Sequence, residues 1–219
     1  MSRQLPVILL GAGGHAKVVL DLLQTLDRQV LGICDPGLAA KGVESWRDIP
    51  VLGDDQAIER YAPTDIELAN GTGSLPGSCL RRRLHTQFTR LGYRFATLVH
   101  PSAILGSDVE LGQGVQIMAG VIVHADTRIG DDVILNTGVR VDHDGEIGSH
   151  VHVAPGAVLS GGITLGEGCH IGAGATLLQG VAIGHDAVIG LGTSVIGDVP
   201  AHHQQTGQPP RTPRRINQE

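Results

Sequence analysis

Residues 109–126 read Val109-Glu110-Leu111-Gly112-Gln113-Gly114-Val115-Gln116-Ile117-Met118-Ala119-Gly120-Val121-Ile122-Val123-His124-Ala125-Asp126. An aliphatic residue returns every six positions, at Leu111, Ile117 and Val123, with a valine two residues before each. The phase holds outward in both directions through Leu105, Ile129, Leu135, Val141, Ile147, Val153, Leu159, Leu165, Ile171, Leu177, Ile183, Ile189 and Val195, sixteen consecutive hits without a slip. With Ile, Leu and Val at about a third of this stretch, chance phasing is on the order of 10⁻⁷. A strand alternates its faces, so residues i−2 and i look to one side and the chain must turn before the next pair. Glycine follows the aliphatic at Gly112, Gly130, Gly148, Gly166 and Gly184, every 18 residues. Three hexads therefore close one coil. The spacing predicts a triangular prism of about five coils, stacked ~4.8 Å apart, with these glycines turning corners at positive φ. A coil cannot hide its own interior, and stacking buries it.

Composition agrees with a narrow interior. The chain of 219 residues carries 32 glycines but only five aromatics, Trp46, Tyr61, Phe88, Tyr93 and Phe95, all before position 96. The shift in composition near His100-Pro101 marks a boundary, giving segments 1–98, 99–200 and a Pro- and Gln-rich tail, 201–219. A net charge of −6 argues against a nucleic-acid surface. No apolar run approaches the ~20 residues that span a bilayer, and the start lacks a signal-peptide pattern. The cysteines Cys34, Cys79 and Cys169 suit neither a disulfide frame nor a zinc knuckle. A cytoplasmic location is the expectation.

The first segment opens as strand, glycine turn and helix: Leu5–Leu10, then Gly11-Ala12-Gly13-Gly14-His15-Ala16, then Ala16–Leu26. A second strand, Val30–Cys34, ends at Asp35. This is G-x-G-x-x-A in its proper setting, with an acid about 20 residues on, the arrangement that turns backbone N–H groups toward a phosphate. Leu80–Leu91 reads as a helix and Tyr93–Leu98 as a strand leading into the prism. Some 95 residues suffice for a small Rossmann-like α/β domain, but not for a dinucleotide fold with its own catalytic domain.

The 18-residue coil also predicts stacking. His143 shares a column with Ala125 and Gly161, and His152 one with His170. His124, Asp142 and Ser160 form a third. His143-Asp144 is the sharpest constellation: a neutral imidazole takes a proton near neutral pH, and an adjacent carboxylate orients it. The same pair also reads as solvated corner residues. His150-Val151-His152 has a strand spacing that could bind metal, yet the His-x-x-x-x-His pair of the β-helix carbonic anhydrases is absent, so no metal is expected. His85, His185, His202 and His203 read as surface residues, Arg81-Arg82-Arg83 as a solvated helix face, and Arg211, Arg214 and Arg215 as part of an extended end.

The hexads, the start Gly11-Ala12-Gly13-Gly14-His15-Ala16-Lys17-Val18-Val19, the junction Leu98-Val99-His100-Pro101-Ser102-Ala103 and Asn136…His143-Asp144 together resemble the bacterial sugar acetyltransferases of the sialic-acid O-acetyltransferase type. These include N-acetyltransferases of nucleotide-linked 4-amino-sugars. The resemblance spans roughly residues 5–200. It implies an α/β N-terminal Rossmann-like domain followed by a left-handed parallel β-helix, a homotrimer, and acetyl-CoA bound in the groove between neighbouring prisms. It further implies His143 as general base oriented by Asp144, with His152 close to the thioester carbonyl. Gly161 N–H would face the oxyanion and Asn136 would lie nearby. Gly13, Gly14, His15 and Asp35 would face the nucleotide sugar. Two departures stand out: Asn70-Gly71-Thr72-Gly73 where the family often has Gly-Asn-Asn, and Gly207-Gln208-Pro209-Pro210 where Gly-x-Pro-Ala is usual.

The expected function is acetyl-CoA-dependent N-acetylation of a nucleotide-linked amino-sugar, of the 4-amino-4,6-dideoxy type. O-acetylation of a sialic acid is the alternative within the family. A non-catalytic prism that binds a sugar nucleotide is the alternative from another class. An NAD-binding oxidoreductase would use the same glycine turn and Asp35, but leaves the prism unexplained.

Overall fold

The computed structural model describes residues 4–207; the tail arginines and most of the Gly207-Gln208-Pro209-Pro210 motif lie outside them. The N-terminal part is a sheet of order β3-β4-β2-β1-β5-β6. Its strands are β1 (Val7–Leu10), β2 (Val30–Cys34), β3 (Ser45–Trp46), β4 (Ile49–Gly53), β5 (Glu67–Asn70) and β6 (Arg94–Phe95). Only the β3–β4 hairpin is antiparallel. All four residues of β1 are buried, as a central parallel strand covered on both faces demands. Helix α1 (Gly14–Thr25) buries Ala16, Val19, Leu20, Leu22 and Leu23 against the sheet. A short α2 (Pro36–Ala40) follows Asp35, and α3 (Leu80–Arg90) precedes β6.

The extended segment expected over 93–98 is divided. Arg94–Phe95 completes the first sheet, whereas Leu98–Val99 starts the second structure. Between them Ala96 N–H donates to Leu68 O at 2.8 Å and Leu98 N–H to Val115 O at 2.8 Å, so the chain changes sheets within two residues.

From Leu98 to Gln205 the chain forms two-residue strands in three parallel sheets of seven, six and five strands. Partners lie 18 residues apart: Gln116 pairs with Ile134, Ile134 with His152 and His152 with His170. This is the triangular prism the hexads predict. The first face carries 98–99, 116–117, 134–135, 152–153 and their successors, the second 104–105, 122–123, 140–141 and so on, the third 110–111, 128–129, 146–147 and so on. The phased aliphatics from Ile117 onward form one buried core with the small residues at i−2. Leu105, in the first coil, remains 36% exposed because no coil lies beneath it.

The glycine reading needs correction. Gly112, Gly130, Gly148, Gly166 and Gly184 do not have positive φ; a Cβ there would strike the backbone of the next coil, as at Gly148, 2.8 Å from Glu167 N. The left-handed position comes two residues later in every hexad. It is filled by Gly114, Gly120, Gly138, Gly156, Gly162, Gly168, Gly174, Gly180 and Gly192, and by Asp108, Asp126, Asp132, Asp144, His150 and Asp186. Aspartate and histidine are among the few side chains that tolerate this conformation.

The sheet domain sits on the first face and its two edges. Arg81-Arg82-Arg83 is not a solvated stripe: Arg81 is 4% exposed, and its guanidinium lies 2.7 Å from Asp132 in the prism. Arg82 pairs with Glu167 and Asp186 at the same edge. His85 is likewise buried, its ring packed on Phe95 and His150. These long side chains dock α3 on the prism, a role that helical charge patterning does not reveal. His185, His202 and His203 are exposed. No helix among the described residues is long and apolar enough to cross a membrane.

Candidate active site

Two constellations emerge, on opposite sides of the prism. The first is a cleft of about 680 Å³ between the sheet domain and the first face. Gly11, Ala12, Gly13, Gly14 and His15 line it from the turn after β1, Asp35 from the end of β2, Thr72, Gly73 and Ser74 from the loop after β5, and Asn136 and His152 from the prism. Asn136 and His152, expected beside the thioester, thus share a cleft with the glycine turn. Asp35 is already engaged: Oδ2 accepts from Ala12 N–H at 2.9 Å and Oδ1 from Leu38 N–H at 2.8 Å. Its carboxylate shapes the glycine turn and caps α2.

Hydrogen bonds fix the cleft histidines. Gln116, 1% exposed, donates through Nε2 to Asn70 O at 2.9 Å, which turns its Oε1 toward His15 Nε2 at 2.8 Å. His152 Nδ1 lies 2.9 Å from Ser74 O. Asn136 Oδ1 accepts from Thr137 N–H at 2.8 Å, so its Nδ2 is the atom 3.4 Å from His152 Nε2. Burial is the main cause that lowers both histidines, each to about 4. Both are neutral at physiological pH.

Behind the cleft runs a buried polar chain. Arg81 donates to Asn70 O and Thr72 O, each at 2.9 Å, and pairs with Asp132, which meets His150 Nδ1 at 3.2 Å. The His-x-His pair is therefore split, with His152 in the cleft and His150 beside Asp132 and His85. The donor atoms of His85, Asp132 and His150 lie within 4.8 Å of one another. Arg81 already neutralises Asp132, so a divalent cation there would leave uncompensated positive charge in a buried setting, which is unfavourable. Arg81, His85 and Gln116 are the residues that sequence reasoning missed. Their partners lie far along the chain, and no local pattern points to them.

The second constellation occupies the vertex between the second and third faces. His143 Nδ1 is 2.7 Å from Asp144 Oδ2, and Asp142 Oδ1 accepts from His143 N–H at 2.9 Å. The Asp144 hydrogen bond first, then the Asp142 charge, raises the His143 pKa above its ordinary value. With Nδ1–H held by Asp144, Nε2 carries the free lone pair. The ring lies over Gly161, where a Cβ would stand 2.7 Å from Nε2 and Cε1. The column prediction is thereby met. Gly161 O accepts from Gly180 N–H, while the Gly161 N–H has no partner among the described residues. Beside it the neighbouring column, that of Asp142 and Ser160, continues into exposed Leu178 and Ile196. A proton acceptor, a free backbone donor and an apolar wall thus share one vertex. Cys169 is remote in character, a core thiol that burial pushes up to about 12.

Comparison with known proteins gives the same division. Residues 108–143 and 144–179 match the bacterial transferase hexapeptide (six repeats) model, and residues 6–76 the PglD N-terminal domain. The chain is similar to a histidine-to-asparagine variant of perosamine N-acetyltransferase from Caulobacter crescentus, in complex with CoA and GDP-perosamine. Identity is 35%, with 92% of this chain and 93% of that one covered and a TM-score of 0.84. The acetyltransferase domain of PglB from Neisseria gonorrhoeae, in complex with acetyl coenzyme A, is 30% identical over 94% of this chain and 97% of that one, with a TM-score of 0.86. WeeI from Acinetobacter baumannii, 24% identical, shares the fold, covering 93% of this chain and 97% of that one with a TM-score of 0.82. Among curated proteins no sequence matches the chain.

Proposed function

Because the chain belongs to the hexapeptide-repeat amino-sugar acetyltransferases, with a Rossmann-like domain ahead of a left-handed parallel β-helix, we propose that it transfers the acetyl group of acetyl-CoA to the amine of a nucleotide-linked sugar. The observation that carries this reading is His143 Nε2 lying against Gly161, whose N–H has no partner among the described residues. The amine nitrogen attacks the thioester carbon, and His143 Nε2 takes the proton that nitrogen loses. Gly161 N–H steadies the tetrahedral oxyanion. Collapse breaks the C–S bond, and the imidazolium returns its proton to the CoA thiolate. Asp144 holds the ring throughout. The exposed Leu178 and Ile196 suit the apolar part of the pantetheine arm.

The sugar nucleotide would occupy the cleft on the first face, with its phosphates toward Gly13 and Gly14. That cleft and the His143 vertex lie on opposite sides of one prism, so one chain does not unite them. Three parallel prisms around a three-fold axis would set the vertex of one against the first face of the next. A homotrimer completes the site. The outward side chains of the second face, Ile104, Ile122 and Val158, supply apolar surface for such packing. A cytoplasmic enzyme of glycan biosynthesis fits these substrates.

The test is thiol release from acetyl-CoA against UDP-, GDP-, dTDP- and CMP-linked amino-sugars and free sialic acid. Turnover of a nucleotide-linked amine, lost in His143→Ala, supports the reading. Turnover of sialic acid alone would replace N- with O-acetylation, and full activity in His143→Ala would remove the mechanism.

A further inference from the structure

Each cleft imidazole has one nitrogen committed to a fixed acceptor. Ser74 O can only accept, so His152 Nδ1 carries the proton and Nε2 the lone pair. Gln116 is oriented by Asn70 O, so its Oε1 accepts from His15 Nε2–H and the His15 lone pair is on Nδ1. The two rings are locked in opposite tautomers. His15 Nδ1 has no partner among the described residues. His152 Nε2 has only the 3.4 Å contact to Asn136 Nδ2, longer than a well-made hydrogen bond.

We propose that His15 Nδ1 and His152 Nε2 are fixed hydrogen-bond acceptors that select a donor-bearing sugar, with His152 Nε2 taking an N–H of the acceptor amine and His15 Nδ1 a ligand hydroxyl. This rests on the acetyltransferase reading and adds to it a source of specificity. A donor on the sugar satisfies a lone pair that the bound ligand shuts off from water. A ketone or ether at the same position sets lone pair against lone pair. His152, with no proton on Nε2, has nothing to give a thioester carbonyl, and its pKa near 4 makes it a poor base. It orients the amine, and His143 takes the proton. The locks also explain why buried side chains of the prism face, Gln116 above all, are spent on holding rings still.

Two measurements test it. Long-range ¹H–¹⁵N correlation spectra of the full chain labelled with ¹⁵N-histidine, assigned with His15→Gln and His152→Gln, report the tautomers directly. The expected result near pH 7 is Nδ1–H for His152 and Nε2–H for His15. A protonated Nε2 on His152 would overturn the proposal, whatever the substrate. Calorimetry then compares the nucleotide-linked 4-amino sugar that turns over best in the panel above, GDP-perosamine first, with its 4-oxo counterpart. The wild type should favour the amine by roughly tenfold or more, the cost of leaving a buried acceptor unpaired, and His152→Leu should lose that preference. Equal binding of the two sugars by a wild type that still acetylates the amine sinks this inference but leaves the acetyltransferase reading intact. Failure to acetylate any nucleotide-linked amine, with the tautomers as expected, sinks the latter alone.

Discussion

Gly161→Ala separates the catalytic vertex from the stability of the prism. The added Cβ would stand 2.7 Å from His143 Nε2 and Cε1 and 3.2 Å from Cδ2. Comfortable separations are ~3.5–4.0 Å, so the ring must retreat by roughly 1 Å. Its side chain is 52% exposed, so it can do so cheaply, and the cost to folding should stay within ~0.5 kcal/mol. Catalysis has no such slack, because a misplacement of ~1 Å costs on the order of 10²-fold, or ~2.7 kcal/mol in the barrier. Gly148→Ala is the matched control. There the Cβ meets Glu167 N at 2.8 Å and Leu165 O at 3.0 Å, backbone that cannot step aside. Overpacking of that kind costs ~1–3 kcal/mol, or a Tm lower by ~2–12 °C for a chain of this size. Thiol-release kinetics and thermal melts on both variants decide the matter. Gly161→Ala should melt like the wild type and turn over ~10²-fold more slowly; Gly148→Ala should melt early, and its folded fraction should turn over normally. A Gly161→Ala enzyme within threefold of the wild-type kcat would refute the placement of His143 against Gly161 during the reaction.

Other consequences follow from the same geometry. In Asp144→Asn the left-handed corner at φ 57° is kept, but the bond that raises the His143 pKa is weakened. The base form then persists to lower pH, so the acid limb of kcat against pH should move down while the plateau falls; an unmoved limb would mean that another group titrates. His15 and His152 protonate at about 4 when folded, against an ordinary 6.5. The unfolded chain therefore binds protons first, and stability should fall as pH drops from ~6.5 toward 4. His152→Gln should flatten that slope in urea titrations. Arg81→Ala strands the buried Asp132 carboxylate and should cost ~3–5 kcal/mol. Asp132→Asn, which tolerates the left-handed corner, should cost less, and reversing that order in chemical denaturation would contradict the docking role of Arg81. Sedimentation should give three times the 22.9 kDa chain mass, and Val158→Glu on the second face should yield inactive smaller species; an active monomer would end the trimer reading.

The prism was legible because its constraint is periodic. One inward aliphatic per hexad reports each strand, and the recurrence at 18 reports the coil. The corner chemistry was only half legible. Glycine serves at two positions per turn for two different reasons, close approach at Gly112 and its equivalents and positive φ two residues later, where aspartate and histidine also serve, and spacing alone does not tell them apart. The stacking of His143 on Gly161 could be counted from the coil length. The docking of the sheet domain could not. Arg81, His85 and Gln116 look like ordinary polar residues of a helix and a strand until partners from 46 to 101 positions away close around them.

The left-handed corner also shows how fold and chemistry share a residue type. Asp126, Asp132, Asp144 and Asp186 occupy equivalent positions, and each is there first because aspartate tolerates positive φ. Their uses then diverge with what each corner faces. Asp132 looks toward α3 and neutralises Arg81, and Asp186 pairs with Arg82. Asp144 is the one beside a histidine that lies over a side-chain-free residue of the next coil. A corner aspartate alone is therefore weak evidence for catalysis. What marks this corner is the coincidence at one vertex of the imidazole, the carboxylate and Gly161, and removing any one of the three should leave a prism that folds and turns over far more slowly.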